Sequence, residues 1–240
     1  MKEKYVEFQH EGDTLEAYLA VDENRSTPLP GVMISHTWRG RSDFECDKAR
    51  ALAALGFVGF AVDMYGKGVL GQSPDESAAL MQPFMDDRAK LQGRMHAALD
   101  ALKAQPEVDA NNIVAMGYCF GGLCVLDLAR TGSDIAGVAS FHGLLQAPGN
   151  TSGQQINSKV LILHGNDDPM APTEHVVEIE KELTVAGADW QLHSYGNTMH
   201  AFTNPQANDP DFGTVYSEQA DRRSWRTFMQ FLDESFELTM

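Results

Sequence analysis

The stretch GYCFGG, residues 117–122, places a cysteine at the junction between an apolar run and a segment with helical periodicity. A side chain that projects from such a sharp strand-to-helix corner requires a strained backbone. Residues two positions to either side must then be small, because larger side chains would collide with the adjoining strand or helix. Gly117 and Gly121 meet this requirement around Cys119. The pattern therefore predicts a tight turn that presents the thiol of Cys119.

Short apolar runs alternate with longer amphipathic stretches along the chain, which predicts a doubly wound, mostly parallel α/β sheet flanked by helices. The run at 15–21 alternates between apolar and polar residues and predicts a half-exposed strand near the sheet edge. Buried strands are predicted at 31–36 and 56–64, and further strands at 112–119, 137–143, 159–165 and 190–196. Helices are predicted at 42–55, 75–104 with a break or kink caused by Pro83, 120–130, 173–186 and 216–236. Polar segments at 146–158 and 203–214 predict surface loops, and because no linker interrupts residues 1–240 we expect a single domain.

The composition limits the classes of function. The 240 residues include 18 Lys and Arg against 34 Asp and Glu, a formal net charge of −16. Such a field repels phosphate backbones and anionic lipid headgroups, so we expect neither nucleic-acid binding nor a membrane-surface role. With no apolar signal segment or membrane-spanning stretch, a cytoplasmic location is expected. The three cysteines form no CxxC pair and are expected to be free thiols, and the oligomeric state stays open.

The position of Cys119 also has an electrostatic consequence. A thiol at the beginning of a helix faces the positive end of the helix dipole and unpaired N–H groups, which favour the nucleophilic thiolate. The backbone N–H of Phe120, the next residue, is placed to donate to an oxyanion. The alternative is that Cys119 is a small buried hydrophobic residue, as we expect for Cys46 and Cys124. No G-x-S-x-G pattern occurs in the chain, so no serine competes for the corner, and we predict that Cys119 is a nucleophile.

A nucleophile of this kind needs a base and an acid that orients the base, in the chain order nucleophile, acid, histidine. Of the eight histidines, only His200 follows both the last predicted strand and the acid candidates. The acid is Asp167 or Asp168: Asp168 precedes a proline and is held extended, whereas Asp167 can cap the following turn. A metal site at His164 and these aspartates lacks a second ligand pair with suitable spacing, so we predict no metal.

Several motifs occur in order along the chain: DMYGKG (63–68), GYCFGG (117–122), SFHG (140–143), LHGNDDP (163–169), MHAFTNP (199–205) and ADRRSW (220–225). Together they resemble the dienelactone hydrolase family, which has the α/β-hydrolase fold. The resemblance implies a catalytic triad of Cys119, Asp168 and His200. It also implies that the backbone N–H of Trp38 is a second oxyanion donor beside that of Phe120.

Two features depart from that family. Its members carry a glutamate beside the nucleophile, in the loop after the matching strand, whereas Thr37 stands at that position here. They also hold a substrate carboxylate with arginines, but Asn204 follows MHAFT, and residues 68–87 contain no Lys or Arg. The cations that remain as candidates for this role are Arg39, Arg41 and Arg88. The sequence therefore leaves open whether the substrate carries a carboxylate.

The predicted reaction is hydrolysis of a small activated ester or lactone through a thioester on Cys119, with no cofactor. A thiolate leaves a tetrahedral intermediate more readily than an alkoxide, so the cysteine suits enol esters, strained lactones and aryl esters. Two alternatives use the same fold: a redox-responsive thiol at Cys119, or a non-catalytic small-molecule binder. An oriented base distinguishes hydrolysis from sensing, because a sensor needs none. The side chains expected to contact substrate are Thr37, Trp38, Tyr65, Arg88 and His142.

Overall fold

Eight strands form the central sheet in a computed structural model that describes residues 1–26 and 28–238. They are β1 (Lys2–His10), β2 (Asp13–Val21), β3 (Leu29–Ser35), β4 (Val58–Ala61), β5 (Val108–Tyr118), β6 (Gly137–Phe141), β7 (Lys159–Gly165) and β8 (Trp190–Tyr195). The short strands β9 (Asn208–Asp209) and β10 (Thr214–Val215) pair with each other outside this sheet. The helices are α1 (Asp43–Leu55), α2 (Pro74–Asp86), α3 (Arg88–Lys103), α4 (Phe120–Arg130), α5 (Thr173–Val185) and α6 (Glu218–Ser235). Within the described part of the chain, none of these helices has the length and apolar character needed to span a bilayer.

The order of strands across the sheet is β1-β2-β4-β3-β5-β6-β7-β8. Strands β3 to β8 run parallel to one another, whereas β1 and β2 are antiparallel additions at one edge. The predicted doubly wound, mostly parallel sheet is therefore confirmed. Because parallel strands end at the same edge of a sheet, the turns that follow β3 to β8 lie along one rim. Cys119 follows β5, near the middle of that rim.

Two apolar layers hold the sheet between its helices. One face packs against α3, α4 and α5 through side chains such as Leu99, Leu123 and Ile179. The other face packs against α1 and α6 through Leu52 and Phe231. Each of these side chains is at most 3% exposed. Because burial of one such side chain contributes about 1.5–3 kcal/mol, the two layers fix the strands whose ends carry the rim.

The N-terminal edge of the sheet differs from the prediction. β1 is missing from the predicted strands, yet it pairs along the whole length of β2 and occupies the edge. β2 therefore lies near the edge, as predicted for the strand at 15–21, but it is mostly buried, so the prediction that it is half-exposed is wrong. Among the more buried positions of β1, only Val6 and Phe8 have clearly apolar side chains. The alternation of apolar and polar residues that indicates a strand is therefore weak in β1.

The helical region at 75–104 divides in two, but not at the proline. Pro83 lies inside α2, and its carbonyl accepts the N–H of Asp87 at 3.1 Å. Asp87 then begins α3, because its side chain accepts the N–H of Lys90 at 3.0 Å. The break that Pro83 predicts is thus present, and a capping aspartate sets its position.

Candidate active site

The turn between β5 and α4 holds Cys119 in a strained backbone conformation. Its φ is 55° and its ψ is −117°, a combination that L-residues rarely adopt. The N–H of Cys119 donates to the Phe141 carbonyl at 3.0 Å, and its own carbonyl accepts the Gly122 N–H at 2.9 Å. Cys119 is partly exposed, whereas Cys46 and Cys124 are buried, as expected for those two. The thiol at the corner is therefore the one that a small molecule can reach from the rim.

Close approach of neighbouring backbone explains the glycines of GYCFGG. A Cβ on Gly117 would lie 2.1 Å from the carbonyl oxygen of Gly121. A Cβ on Gly121 would lie 2.2 Å from the carbonyl oxygen of Ser35, the last residue of β3. Both distances are far shorter than a van der Waals contact, so the turn has room only for glycine at these positions. The tight corner predicted from the sequence is present.

His200 and Asp168 form a buried pair at the same rim, after β8 and β7. The Nδ1 of His200 lies 2.7 Å from Oδ2 of Asp168, and the two side chains are 2% and 0% exposed. The other carboxylate oxygen of Asp168 accepts the N–H of Met170 at 2.8 Å. Asp167 is exposed, and its carboxylate accepts a hydrogen bond from the side chain of Asn166. The structure therefore brings Asp168, and not Asp167, to the histidine.

The surroundings of His200 favour a protonated imidazole. Its Nε2 is buried and, among the residues that the structure describes, has no hydrogen-bond partner of ordinary geometry. Burial alone would lower the pKa of His200, but the negative charge of the Cys119 sulfur and the hydrogen bond to Asp168 raise it to about 10. The hydrogen bond to Asp168 therefore helps His200 to hold a proton inside the protein.

Two backbone N–H groups fit the role of oxyanion donors. Phe120 is the first residue of α4, so its N–H has no partner inside the helix. Trp38 follows β3, directly beside the strand that ends at the corner. Neither N–H donates a hydrogen bond within residues 1–26 and 28–238. Both groups are therefore available to a ligand at the rim.

Tyr65 and Thr37 flank the loop that carries Trp38. The Tyr65 hydroxyl donates to the Trp38 carbonyl at 2.8 Å, and its ring stacks on Phe120 at 5.9 Å between centroids. Burial raises the pKa of Tyr65, so its phenol stays neutral and remains a donor. Thr37 is half-buried, and its N–H donates to Glu45 at 3.4 Å. Tyr65 and Glu45 thus fix the loop on which Trp38 lies.

The prediction that Arg88 contacts substrate needs correction. Its guanidinium donates to both carboxylate oxygens of Asp127 at 2.7 Å, and its side chain is 9% exposed. Asp127 lies on α4, about 12 Å beyond Cys119 along the helix axis. Arg41 is similarly engaged, since it donates to the Glu16 carboxylate at 3.2 Å. The charges of both arginines are neutralised within the protein, so neither is available to a substrate carboxylate.

His142, a second predicted substrate contact, packs against the base instead. It is 2% exposed, its ring centroid lies 5.0 Å from that of His200, and its Nε2 lies 2.8 Å from the Thr203 hydroxyl. Burial and the nearby charge of His200 lower the pKa of His142 well below its ordinary value. His36 is also buried, and its Nε2 accepts the N–H of Met64 at 3.1 Å. We therefore reassign His142 from touching substrate to supporting His200.

The segment 203–214, predicted as a surface loop, contributes to the site through β9 and β10. We call residues 208–215 the rim hairpin. The N–H of His200 donates to the Gly213 carbonyl at 2.9 Å, and the Val215 N–H donates to the His200 carbonyl at 3.1 Å. The sequence analysis missed this hairpin because its strands are two residues long and lack apolar alternation. The available signal was the turn-forming run Asp209-Pro-Asp-Phe-Gly213.

Comparisons with known proteins identify the family and the fold of this chain. The sequence profile of the dienelactone hydrolase family matches residues 15–236. A protein of Aquifex aeolicus (strain VF5) named "Putative carboxymethylenebutenolidase" is 26% identical over 234 residues, covering 94% of this chain and 96% of the relative. A Bradyrhizobium protein named "Probable 2-oxo-3-(5-oxofuran-2-ylidene)propanoate lactonase" is 27% identical over 243 residues, covering 95% and 92%. The crystal structure of a dienelactone hydrolase-like promiscuous phosphotriesterase from metagenomic libraries aligns with a TM-score of 0.91 at 36% identity, covering 98% of both chains.

Proposed function

Because this chain belongs to the dienelactone hydrolase family and has the α/β-hydrolase fold, we propose that it hydrolyses small activated carboxylic esters or lactones. Cys119 is the nucleophile, His200 the base and Asp168 the group that orients the base. One observation carries the proposal: the buried Asp168 and His200 side chains lie 2.7 Å apart, at the rim where the strained turn presents Cys119.

In the first half-reaction, the ionised sulfur of Cys119 attacks the acyl carbon. A C–S bond forms and the carbonyl oxygen becomes a tetrahedral oxyanion. The imidazolium of His200 gives its proton to the leaving oxygen, the ester C–O bond breaks, and a thioester remains on Cys119. A resting proton on His200 agrees with its pKa, which is raised to about 10. The Nδ1–H of His200 donates a hydrogen bond to Asp168, which leaves Nε2 of the ring to exchange the proton with the reacting groups.

In the second half-reaction, water attacks the thioester. The neutral imidazole of His200 takes a proton from the water as the new C–O bond forms. The C–S bond then breaks, and Cys119 leaves as a thiolate beside the imidazolium, which restores the resting state. An ester yields an acid and an alcohol, and a lactone yields one hydroxy or keto acid. No cofactor takes part in this scheme.

The N–H groups of Phe120 and Trp38 stabilise the oxyanion in both half-reactions. Each such donor contributes on the order of 3 kcal/mol to the transition state. Thr37 has no carboxylate and cannot act as a base near neutral pH. Proton transfer in this scheme therefore depends on His200.

Hydrolysis of p-nitrophenyl acetate by the parent protein, Cys119→Ala and Cys124→Ala tests the proposal. Cys119→Ala is expected to lower kcat/KM by at least about 10³-fold, because it removes the nucleophile. Cys124→Ala should retain the parent rate, because Cys124 is buried inside α4 and serves as the matched cysteine control. Equal rates for the parent and Cys119→Ala, with both proteins folded by circular dichroism, would refute the assignment.

Phosphotriester hydrolysis is a second candidate activity, favoured by the 36% identity to the promiscuous phosphotriesterase. The sulfur of Cys119 would attack phosphorus, an aryloxide would leave with the proton of His200, and water would then cleave the P–S bond. Paraoxon tests this activity. Continuous release of p-nitrophenol that depends on Cys119 would support it, and release that stops after one equivalent would reject turnover.

A further inference from the structure

The rim hairpin, residues 208–215, touches three separate parts of the proposed active site. It pairs with the backbone of His200 through Gly213 and Val215. Gly213 packs against Pro169, the residue after Asp168, so closely that a Cβ would lie 2.2 Å from the Pro169 ring. At the hairpin tip, the ring of Phe212 stacks on the indole of Trp38. The hairpin therefore connects the acid and base side of the site to the loop that carries the second oxyanion donor.

The Phe212 and Trp38 rings, which we call the aromatic clamp, form a surface that a planar group can use. Their centroids are 6.1 Å apart with 24° between the planes. Phe212 is 51% exposed, and Trp38 is half-buried. The backbone at each residue is held by a side chain, because the Phe212 N–H donates to the Asp209 carboxylate at 3.0 Å and the Trp38 carbonyl accepts the Tyr65 hydroxyl. Stacking of a further ring on such a pair is favourable by about 0.5–1.5 kcal/mol beyond the area that it buries.

The charges near the clamp disfavour an anionic ligand. The hairpin itself carries two exposed acidic side chains, Asp209 and Asp211. Arg41 and Arg88 are engaged in ion pairs with carboxylates of the protein. Arg39 is exposed and donates its Nε to the Gly71 carbonyl at 3.0 Å. The two exposed carboxylates of the hairpin outweigh the single exposed guanidinium of Arg39, so a neutral planar group is the better match for this part of the rim.

Resting on the proposed function, we propose that the aromatic clamp binds the planar aryl or enol group attached to the leaving oxygen of a neutral ester or lactone. The leaving oxygen must lie beside His200, which protonates it. The rim hairpin is bonded to the backbone of that histidine, and in this proposal the group on the leaving oxygen lies against Phe212. Phe212 then determines specificity for the same activated acyl compounds that suit a cysteine nucleophile.

Two acetate esters test the clamp, because their leaving alcohols are similarly acidic but differ in shape. They are 4-chlorophenyl acetate, which is planar, and hexafluoroisopropyl acetate, which is not. Phe212→Ala is expected to lower kcat/KM by about five- to tenfold for the aryl ester and by less than about twofold for the other. Phe212→Tyr keeps the ring and should retain the preference. Tyr5→Ala, which removes an exposed aromatic side chain from the edge strand β1, is the matched control and should change neither rate.

Equal losses with both esters in Phe212→Ala would overturn the clamp, because they would indicate a general effect on the hairpin. A preference for the mono-4-chlorophenyl ester of succinic acid over 4-chlorophenyl acetate, lost in Arg39→Gln, would also overturn it in favour of carboxylate binding. Hydrolysis that is unaffected by Cys119→Ala would instead refute the proposed function.

A binding measurement separates the clamp from catalysis. The Cys119→Ala protein is titrated with 2-naphthol while the indole N–H resonance of Trp38 is followed by NMR. We expect a saturable shift that is absent when Phe212→Ala is added to the same protein. A lack of saturation with Phe212 present would contradict the clamp, whether or not the parent protein hydrolyses esters.

Discussion

The elbow at 117–122 and the rim hairpin at 208–215 both hold parts of the proposed active site, but different kinds of contact determine them. At the elbow, neighbours in the chain and the end of β3 leave no space for a side chain on Gly117 or Gly121. At the hairpin, strands of two residues are held by the nearby His200 and by Pro169 and Trp38, which are distant in sequence. The comparison teaches that a turn with a recognisable glycine motif can be predicted from sequence even when it also contacts a distant strand, whereas the pairing of two-residue strands leaves no such motif.

Loss of the hydrogen bond between Asp168 and His200 should produce the largest effect on activity. Asp168→Asn removes the carboxylate that orients His200, so kcat/KM for p-nitrophenyl acetate is expected to fall by about 10²–10⁴-fold. The same change removes a group that raises the pKa of His200, so the fall in activity at alkaline pH should move to lower pH. Asp167→Asn is the matched control, since Asp167 is exposed, and it should keep the parent rate. Similar losses in the two variants would contradict the assignment of Asp168.

A methyl group added at the elbow should strongly destabilise the folded protein. Gly121→Ala places a Cβ 2.2 Å from the Ser35 carbonyl, and we expect the free energy of unfolding in urea to fall by about 3 kcal/mol or more. Gly196→Ala has open space around its Cβ and is the matched control, expected to change stability by less than about 1 kcal/mol. Equal stability of the two variants would show that the glycine pattern does not constrain the turn.

The same change at the hairpin should cost less stability than at the elbow, but it should also lower activity. Gly213 has a φ of 82° and contacts Pro169, so Gly213→Ala strains a short surface segment rather than the centre of the sheet. We expect a loss of about 1–2 kcal/mol in the free energy of unfolding and about tenfold in kcat/KM, because the hairpin is bonded to His200. If Gly213→Ala were unfolded, or folded with full activity, the proposed difference between the hairpin and the elbow would be wrong.

The sequence could predict the elbow and the rim because each depends on patterns only a few residues long. The turns after β5, β7 and β8 carry Cys119, Asp168 and His200, and the strand-then-turn pattern locates all three along one edge. Choosing Asp168 over Asp167 required the family resemblance, because both aspartates follow β7 and only the fold determines which one faces His200.

The features that the sequence analysis missed depend on contacts between distant parts of the chain. Arg88 was predicted to contact substrate because nothing near it in sequence reveals its partner Asp127, which is thirty-nine residues away. The partner of His142, Thr203, is sixty-one residues away. The strand β1 was missed because its few apolar residues gain their importance only from pairing with β2. A single sequence contains no local trace of such pairings.

The smallest predicted effect concerns stability at acid pH. Burial, together with the charge of His200, keeps His142 neutral in the folded protein by lowering its pKa well below the ordinary 6.5. The unfolded chain takes up that proton below its ordinary pKa, so the free energy of unfolding should decrease as pH falls, by up to about 1.4 kcal/mol per pH unit for this residue. His142→Asn should reduce that slope between about pH 6.5 and about pH 5, as measured by urea unfolding. Identical slopes in both proteins would contradict a neutral buried His142.

The central claim is that acyl transfer proceeds through the sulfur of Cys119, and mass spectrometry of the protein tests it most directly. The parent and Asp168→Asn proteins are mixed with p-nitrophenyl acetate, quenched in acid within one turnover, and examined intact and after digestion. We predict one added acetyl group on the peptide that contains Cys119 in both proteins. The Cys119→Ala protein, treated in the same way, should carry none. Hydrolysis without an adduct, or with an acetyl group on another residue, would contradict the account.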